Sequence, residues 1–233
     1  MTKLQVLTLG VCLSLYGCVG YPKAYQAAQI SKMGQTPKSL PQQSRYPSNV
    51  DNLLRNGSFE GTPRASTVPE EWINWGPSKE SPPDIHPTGA FGVTTRAKNG
   101  NTYLGMVVRD NNTWEGIAQK LDQPLQVGQL YKLTGYAARS ETYNSMSRQT
   151  NERASFSHPA ILRVSGNDQF DHKIAYPLSQ SLPILNMEWL YFEMILKPEA
   201  DLEYLILEVY YDHNVGEFYN GNILLDDLKL VKL

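Results

Sequence analysis

The chain has 233 residues, 41% of them hydrophobic, which supplies enough apolar material for a core and excludes a chain disordered throughout. A formal net charge of −2 excludes the strong basic excess that marks a nucleic-acid binder. Lys3, Lys23, Lys32, Lys38 and Arg45 are the only charged residues before residue 51, so a basic leader precedes an acidic body; both cysteines, Cys12 and Cys18, lie in that leader, which excludes a disulfide framework or thiolate metal site from the body.

Residues 1–17 read as a secretory signal: Lys3 begins it, an apolar run from Leu4 to Tyr16 follows, and Gly17 is the small residue before a cut. The run is shorter than the roughly 20 apolar residues that span a bilayer. Leu15-Tyr16-Gly17-Cys18 resembles the bacterial lipobox, with Tyr16 standing where a small residue is usual. The resemblance implies a lipoprotein whose first mature residue is an acylated Cys18, anchored on a membrane without crossing it. An ordinary cleaved signal is the other reading. The expected location is the bacterial outer membrane, with its periplasmic and surface faces both open. Residues 18–50 carry Pro22, Pro37, Pro41 and Pro47 with little apolar periodicity, and read as a flexible tether. Its basic charge suits anionic headgroups and a soluble spacer equally.

From residue 51 to 233 the pattern is period two, bounded by Gly, Pro, Asn and Asp, and it reads as one domain of strands. The predicted strands are Leu53–Phe59, Ala90–Thr95, Tyr103–Arg109, Trp114–Leu121, Leu130–Ala138, Ile161–Ser165, Trp189–Leu196, Tyr204–Tyr211 and Ile223–Val231. Such a series without helices implies an all-β fold, two packed antiparallel sheets in a β-sandwich. Between two of these strands, Ser140 to Pro159 is a long polar segment, expected to be functional or disordered.

Alternation assigns faces. Leu205, Leu207, Val209 and Tyr211 fall on the core side of their strand, leaving Ile206, Glu208 and Tyr210 outward. Leu162 and Val164 point inward and Arg163 outward; Lys132 marks an outward set with Thr134 and Tyr136. If these strands share a sheet, its exposed face carries Tyr136, Arg163, Glu208 and Tyr210. Aromatic rings beside hydrogen-bonding charges are what sugars bind, by stacking of C–H faces and pairing of hydroxyls. The plainer reading is that Tyr favours strands.

The opening Asn52-Leu53-Leu54-Arg55-Asn56-Gly57-Ser58-Phe59-Glu60-Gly61, with Pro69 and Trp72, resembles the start of the carbohydrate-binding modules attached to many xylanases and glucanases. The end, Ile223-Leu224-Leu225-Asp226-Asp227-Leu228-Lys229-Leu230, is similar to their closing strand, and Gly100-Asn101-Thr102-Tyr103-Leu104, Gln119-Lys120-Leu121, Pro124-Leu125, Gly128 and Tyr131 match their middle in order. The resemblance covers Asn52 to Leu233 and implies a galactose-binding-like jelly roll. It also implies a structural Ca2+ held by Glu60 and either Asp226 or Asp227, with backbone carbonyls near Gly100. The other reading of Glu60 is a turn cap, with an aspartate in solvent.

The four histidines, His86, His158, His172 and His213, have no metal-ligand spacing, and there is no nucleophile elbow, P-loop or dinucleotide fingerprint. Carboxylates are plentiful, so a glycosidase pair is a question of geometry. The expected function is non-catalytic binding of a polysaccharide or cell-wall glycan. The alternative is an accessory subunit presenting its long loop to an outer-membrane protein complex.

Overall fold

The computed structural model describes residues 52–170 and 175–233; the expected signal, Cys18, the tether and His172 lie outside them. Thirteen strands are formed among the described residues: β1 Ile73–Asn74, β2 Asp84–His86, β3 Tyr103–Arg109, β4 Thr113–Trp114, β5 Gly116–Leu125, β6 Tyr131–Ala138, β7 Asn144–Met146, β8 Arg153–Ser155, β9 Ile161–Asn167, β10 Tyr176–Gln180, β11 Leu190–Leu196, β12 Leu202–Tyr210 and β13 Gly221–Lys232. They make a five-stranded sheet in the order β1-β5-β12-β9-β10 and a six-stranded sheet containing β11-β6-β13-β3-β2 with β4 on β3. All named pairs are antiparallel.

The alternation reads the core correctly. Leu205, Leu207 and Val209 of β12 and Leu162 and Val164 of β9 meet Leu104, Met106 and Val108 of β3 and Leu133 and Ala137 of β6 in one apolar layer between the sheets. On β13 the inward set changes parity, from Ile223 and Leu225 to Leu228 and Leu230. A bulge at Asp226-Asp227, where Asp227 has φ 50°, inserts the extra residue that causes the switch.

Two expected strands are absent. Leu53–Phe59 runs beside β13, with Leu53 N–H donating to the Leu230 carbonyl (2.9 Å) and Leu228 N–H to that of Gly57 (2.8 Å). Left-handed residues at Asn56 (φ 46°) and Phe59 (φ 53°) break any ladder. Gly57 is required here, since a Cβ on it would lie 2.2 Å from the Leu228 oxygen. Ala90–Thr95 is turned by Phe91 (φ 59°) and Gly92 (φ 76°). The strands missed by period, β1, β2, β4, β7, β8 and β10, are five residues or shorter.

The long polar segment neither projects nor lacks structure: it forms the β7–β8 hairpin and lies on the outer face of the six-stranded sheet. Tyr143 and Phe156 are buried there against Val93 and Val107. The buried Asn222 side chain stitches the hairpin base, accepting from Ser140 N–H (2.8 Å) and donating to the carbonyls of Ser140 (3.0 Å) and Phe156 (2.7 Å). Beneath the hairpin are Asp84, hydrogen-bonded by the Tyr143 hydroxyl, and Arg109 paired with Glu115. His86, fully buried, stacks on Tyr103 (centroids 5.4 Å apart) and neither ring nitrogen has a hydrogen-bond partner among the described residues.

Candidate ligand site on the five-stranded sheet

Antiparallel pairing of β12 with β9 places Glu208 opposite Arg163, and pairing with β5 places it opposite Gly116. The chain crosses from one sheet to the other just after β4, which delivers Trp114 to the same spot. The Glu208 carboxylate accepts from Trp114 Nε1 (2.8 Å) and from Arg163 Nε (3.0 Å). The Arg163 guanidinium carbon lies 3.8 Å from the centroid of the Tyr210 ring and 5.6 Å from that of Trp114. Trp114 and Tyr210 meet edge to face at 4.9 Å. Three of the four expected residues, Arg163, Glu208 and Tyr210, are thus brought into one cluster with Trp114.

Glu208 is not exposed as the alternation implied: it is 4% accessible, because Trp114 and Arg163 close over it. Arg163 keeps 27% of its side chain in solvent. The carboxylate is therefore a fixed acceptor, and the guanidinium, with Nε committed, has further donors at the surface.

The same face continues along β12. Ala118 and Ile206 pack beneath Trp75 as its floor. At the far end Phe170 meets Trp75 (5.5 Å) and Tyr204 (5.6 Å), and Lys120 Nζ stands 5.7 Å from the Tyr204 centroid. Tyr204 and Tyr210 lie on one face six residues apart, which at the rise of a strand is on the order of 20 Å. Trp75, Trp114 and Phe170 escaped the sequence reading. For Trp114 a signal existed: on a continuous strand it shares parity with Gly116, Ala118 and Lys120.

Tyr136 does not belong to this face. It sits on β6, hydrogen-bonded between β11 and β13 in the other sheet, so its outward side faces the opposite solvent. Alternation decides which side of a strand a residue takes and cannot decide which sheet the strand joins. There Tyr136 meets Tyr191 (5.7 Å) and lies under Lys98 Nζ (4.5 Å).

The expected calcium ligands converge on one loop. Glu60 accepts from Asn101 N–H at 3.0 and 3.2 Å, and Asp226 accepts from the N–H groups of Lys98 (2.7 Å), Asn99 (2.9 Å) and Asp227 (2.7 Å). Among the described residues Asp227 accepts only from the side chains of Asn99 and Lys229, so Asp226 is the aspartate that takes the loop's backbone amides. Burial pushes the Asp226 carboxyl up to about 6 against these amides. Neither Glu60 nor Asp226 has a cationic partner among the described residues, where no three His, Cys, Asp or Glu side chains form a metal cluster. Carboxylate oxygens are the ligands calcium takes, but here those of Glu60 and Asp226 are turned to backbone N–H groups of the loop, as in the turn-cap reading of Glu60.

No protein-family model matches the sequence, and no curated protein matches it. Solved structures resemble it in fold. An arabinose-bound α-L-arabinofuranosidase aligns with a TM-score of 0.52 and 14% identity over 78% of this chain, which spans 26% of that enzyme. The K2 cleaved adhesin domain of Lys-gingipain aligns with a TM-score of 0.50 and 13% identity, over 75% of this chain and 96% of that domain. A family 16 carbohydrate-binding module aligns at 0.41 and 16% identity, over 77% of this chain and 99% of the module. At such identities the likeness is one of fold, and the described chain is an all-β, antiparallel sandwich of the jelly-roll kind.

Proposed function

We propose that this chain is a non-catalytic glycan-binding lipoprotein of the bacterial envelope, anchored to the outer membrane by Cys18 and holding a saccharide across the outer face of its five-stranded sheet. The observation that carries the reading is the Trp114–Arg163–Glu208–Tyr210 cluster. Trp114 offers its indole to sugar C–H groups and the Arg163 guanidinium, stacked on Tyr210, offers its remaining N–H donors, both held in place by the buried Glu208 carboxylate. Such pre-organisation lowers the ordering cost of binding. Aromatic groups at both ends of a face on the order of 20 Å long suit a chain of sugars better than a single ring.

The test is affinity electrophoresis of the full-length chain through gels containing soluble xylan, β-glucan, arabinan or peptidoglycan fragments. Retardation is expected in at least one gel and is weakened by Trp114→Ala; free migration in all of them overturns the reading.

Calcium held by Glu60 and Asp226, whose oxygens would turn from the loop amides to the ion, is part of the same proposal. It would bind only the folded chain and, at a hundredfold excess over its dissociation constant, add about 2.7 kcal/mol. That raises the melting temperature by about 5–11 °C in a domain of this size. Unchanged melting after chelation, with metal loss verified by elemental analysis, removes the calcium.

A further inference from the structure

The β7–β8 hairpin covers only part of the six-stranded sheet. Between its base (139–142), the 94–98 segment and the entry to β11 at 187–189 lies an open groove of about 410 Å³. One indole, Trp189, lines it, together with the cations Arg96, Lys98 and Arg139, the anions Glu141 and Glu188, and the hydroxyls of Thr94 and Thr142; Arg139 donates to the carbonyls of Leu185 and Ser157. Arg96, Lys98, Glu141 and Glu188 are exposed. The aromatic lining extends outward, since Lys98 also stands over Tyr136, and Tyr191, two residues beyond Trp189, packs against that tyrosine.

The groove is held open by contacts that no β-ladder supplies. Trp189 Nε1 donates to the Arg96 carbonyl (2.8 Å) and its ring meets Tyr103 edge to face at 5.4 Å. The Tyr103 hydroxyl donates to the Thr95 carbonyl (2.7 Å), and Asp226 takes the N–H groups of Lys98 and Asn99. Four side-chain bonds thus fix the backbone of a segment that is not a strand. This rigidity favours binding, because the wall need not be ordered when a ligand arrives.

We propose that this groove is a second saccharide site, so that the domain holds glycan on both of its sheets. Cations and anions in nearly equal number, three against two, argue against a strongly anionic or cationic ligand. Free acceptors and free donors interleaved with hydroxyls around an indole suit a neutral polyol, whose every hydroxyl both gives and accepts a hydrogen bond. The packed sheets are about 10 Å apart with the two sites on their opposite outer sides, so a short oligosaccharide cannot bridge them and each site fills independently. The proposal rests on the glycan reading of the five-stranded sheet.

Isothermal titration of the full-length chain with xylohexaose, cellohexaose and arabinohexaose tests it. Two sites per chain are expected for at least one sugar, with one lost in Trp114→Ala, the other lost in Trp189→Ala, and both lost in the double variant. Because Trp189→Ala also removes the Arg96 hydrogen bond, the exposed pair Arg96→Glu and Glu188→Lys provides a second probe; it is expected to weaken the groove site at least several-fold with an unchanged melting temperature. A single site abolished by Trp114→Ala and untouched by the groove variants overturns the second site and leaves the first. A single site abolished only by the groove variants overturns the first and leaves the second. No heat with any sugar overturns both.

Discussion

Gly100→Ala probes the grip of the first segment on the 98–102 loop. Gly100 has φ +62°, and a Cβ there would sit 1.9 Å from Glu60 Oε1. Two costs follow. A left-handed backbone on an L-residue costs about 1.5 kcal/mol. Eviction of the half-buried Glu60 carboxylate from Asn101 N–H forfeits a charged hydrogen bond, about 1.5 kcal/mol at the lower end of its range. Together they amount to roughly 3 kcal/mol, or a fall of roughly 6–12 °C in melting temperature. Denaturant unfolding of Gly100→Ala, Glu60→Ala and the double variant measures the terms separately. Once Glu60 is an alanine there is no carboxylate to displace, so the double variant is expected to be no less stable than Gly100→Ala alone. Strict additivity, or a Gly100→Ala cost below about 1 kcal/mol, refutes the reasoning.

Other expectations concern charge. Arg163→Met strands the buried Glu208 carboxylate and is expected to cost about 3–5 kcal/mol, most of it recovered by adding Glu208→Gln; chemical denaturation of both variants checks this. His86 is held down to about 4 by burial, against 6.5 in the unfolded chain. As pH falls from 6.5 towards 4 the unfolded chain takes up a proton that the fold refuses, so stability is lost across that window. Asp226, raised to about 6, acts in the opposite sense between 6 and its ordinary 3.8. The slope of melting temperature against pH is therefore expected to steepen in Asp226→Asn and to flatten in His86→Phe; unchanged slopes contradict both assignments. Finally, Cys18→Ala is expected to leave the chain unacylated, and mass spectrometry of the mature N-terminus decides it.

Period two and composition determined the all-β class, seven of the longer strands and the inward sets of β9 and β12, because a half-buried strand must alternate whatever its partners are. That Glu60 and one of Asp226 and Asp227 lie at the loop around Gly100 came from the resemblance of the two ends of the domain; which aspartate takes the loop's backbone amides was set by the packing. What alternation cannot carry is partnership. Tyr136, Arg163 and Tyr210 carry the same outward signal, yet only hydrogen-bond pairing sends β6 to one sheet and β9 and β12 to the other. Burial of Glu208 depends on Trp114, whose place is set by a crossing between sheets, and the groove at Trp189 depends on a segment pinned by side chains to its backbone. These are contacts between residues distant in the chain, chosen by the net free energy of the whole packing, and only the tertiary structure decided them.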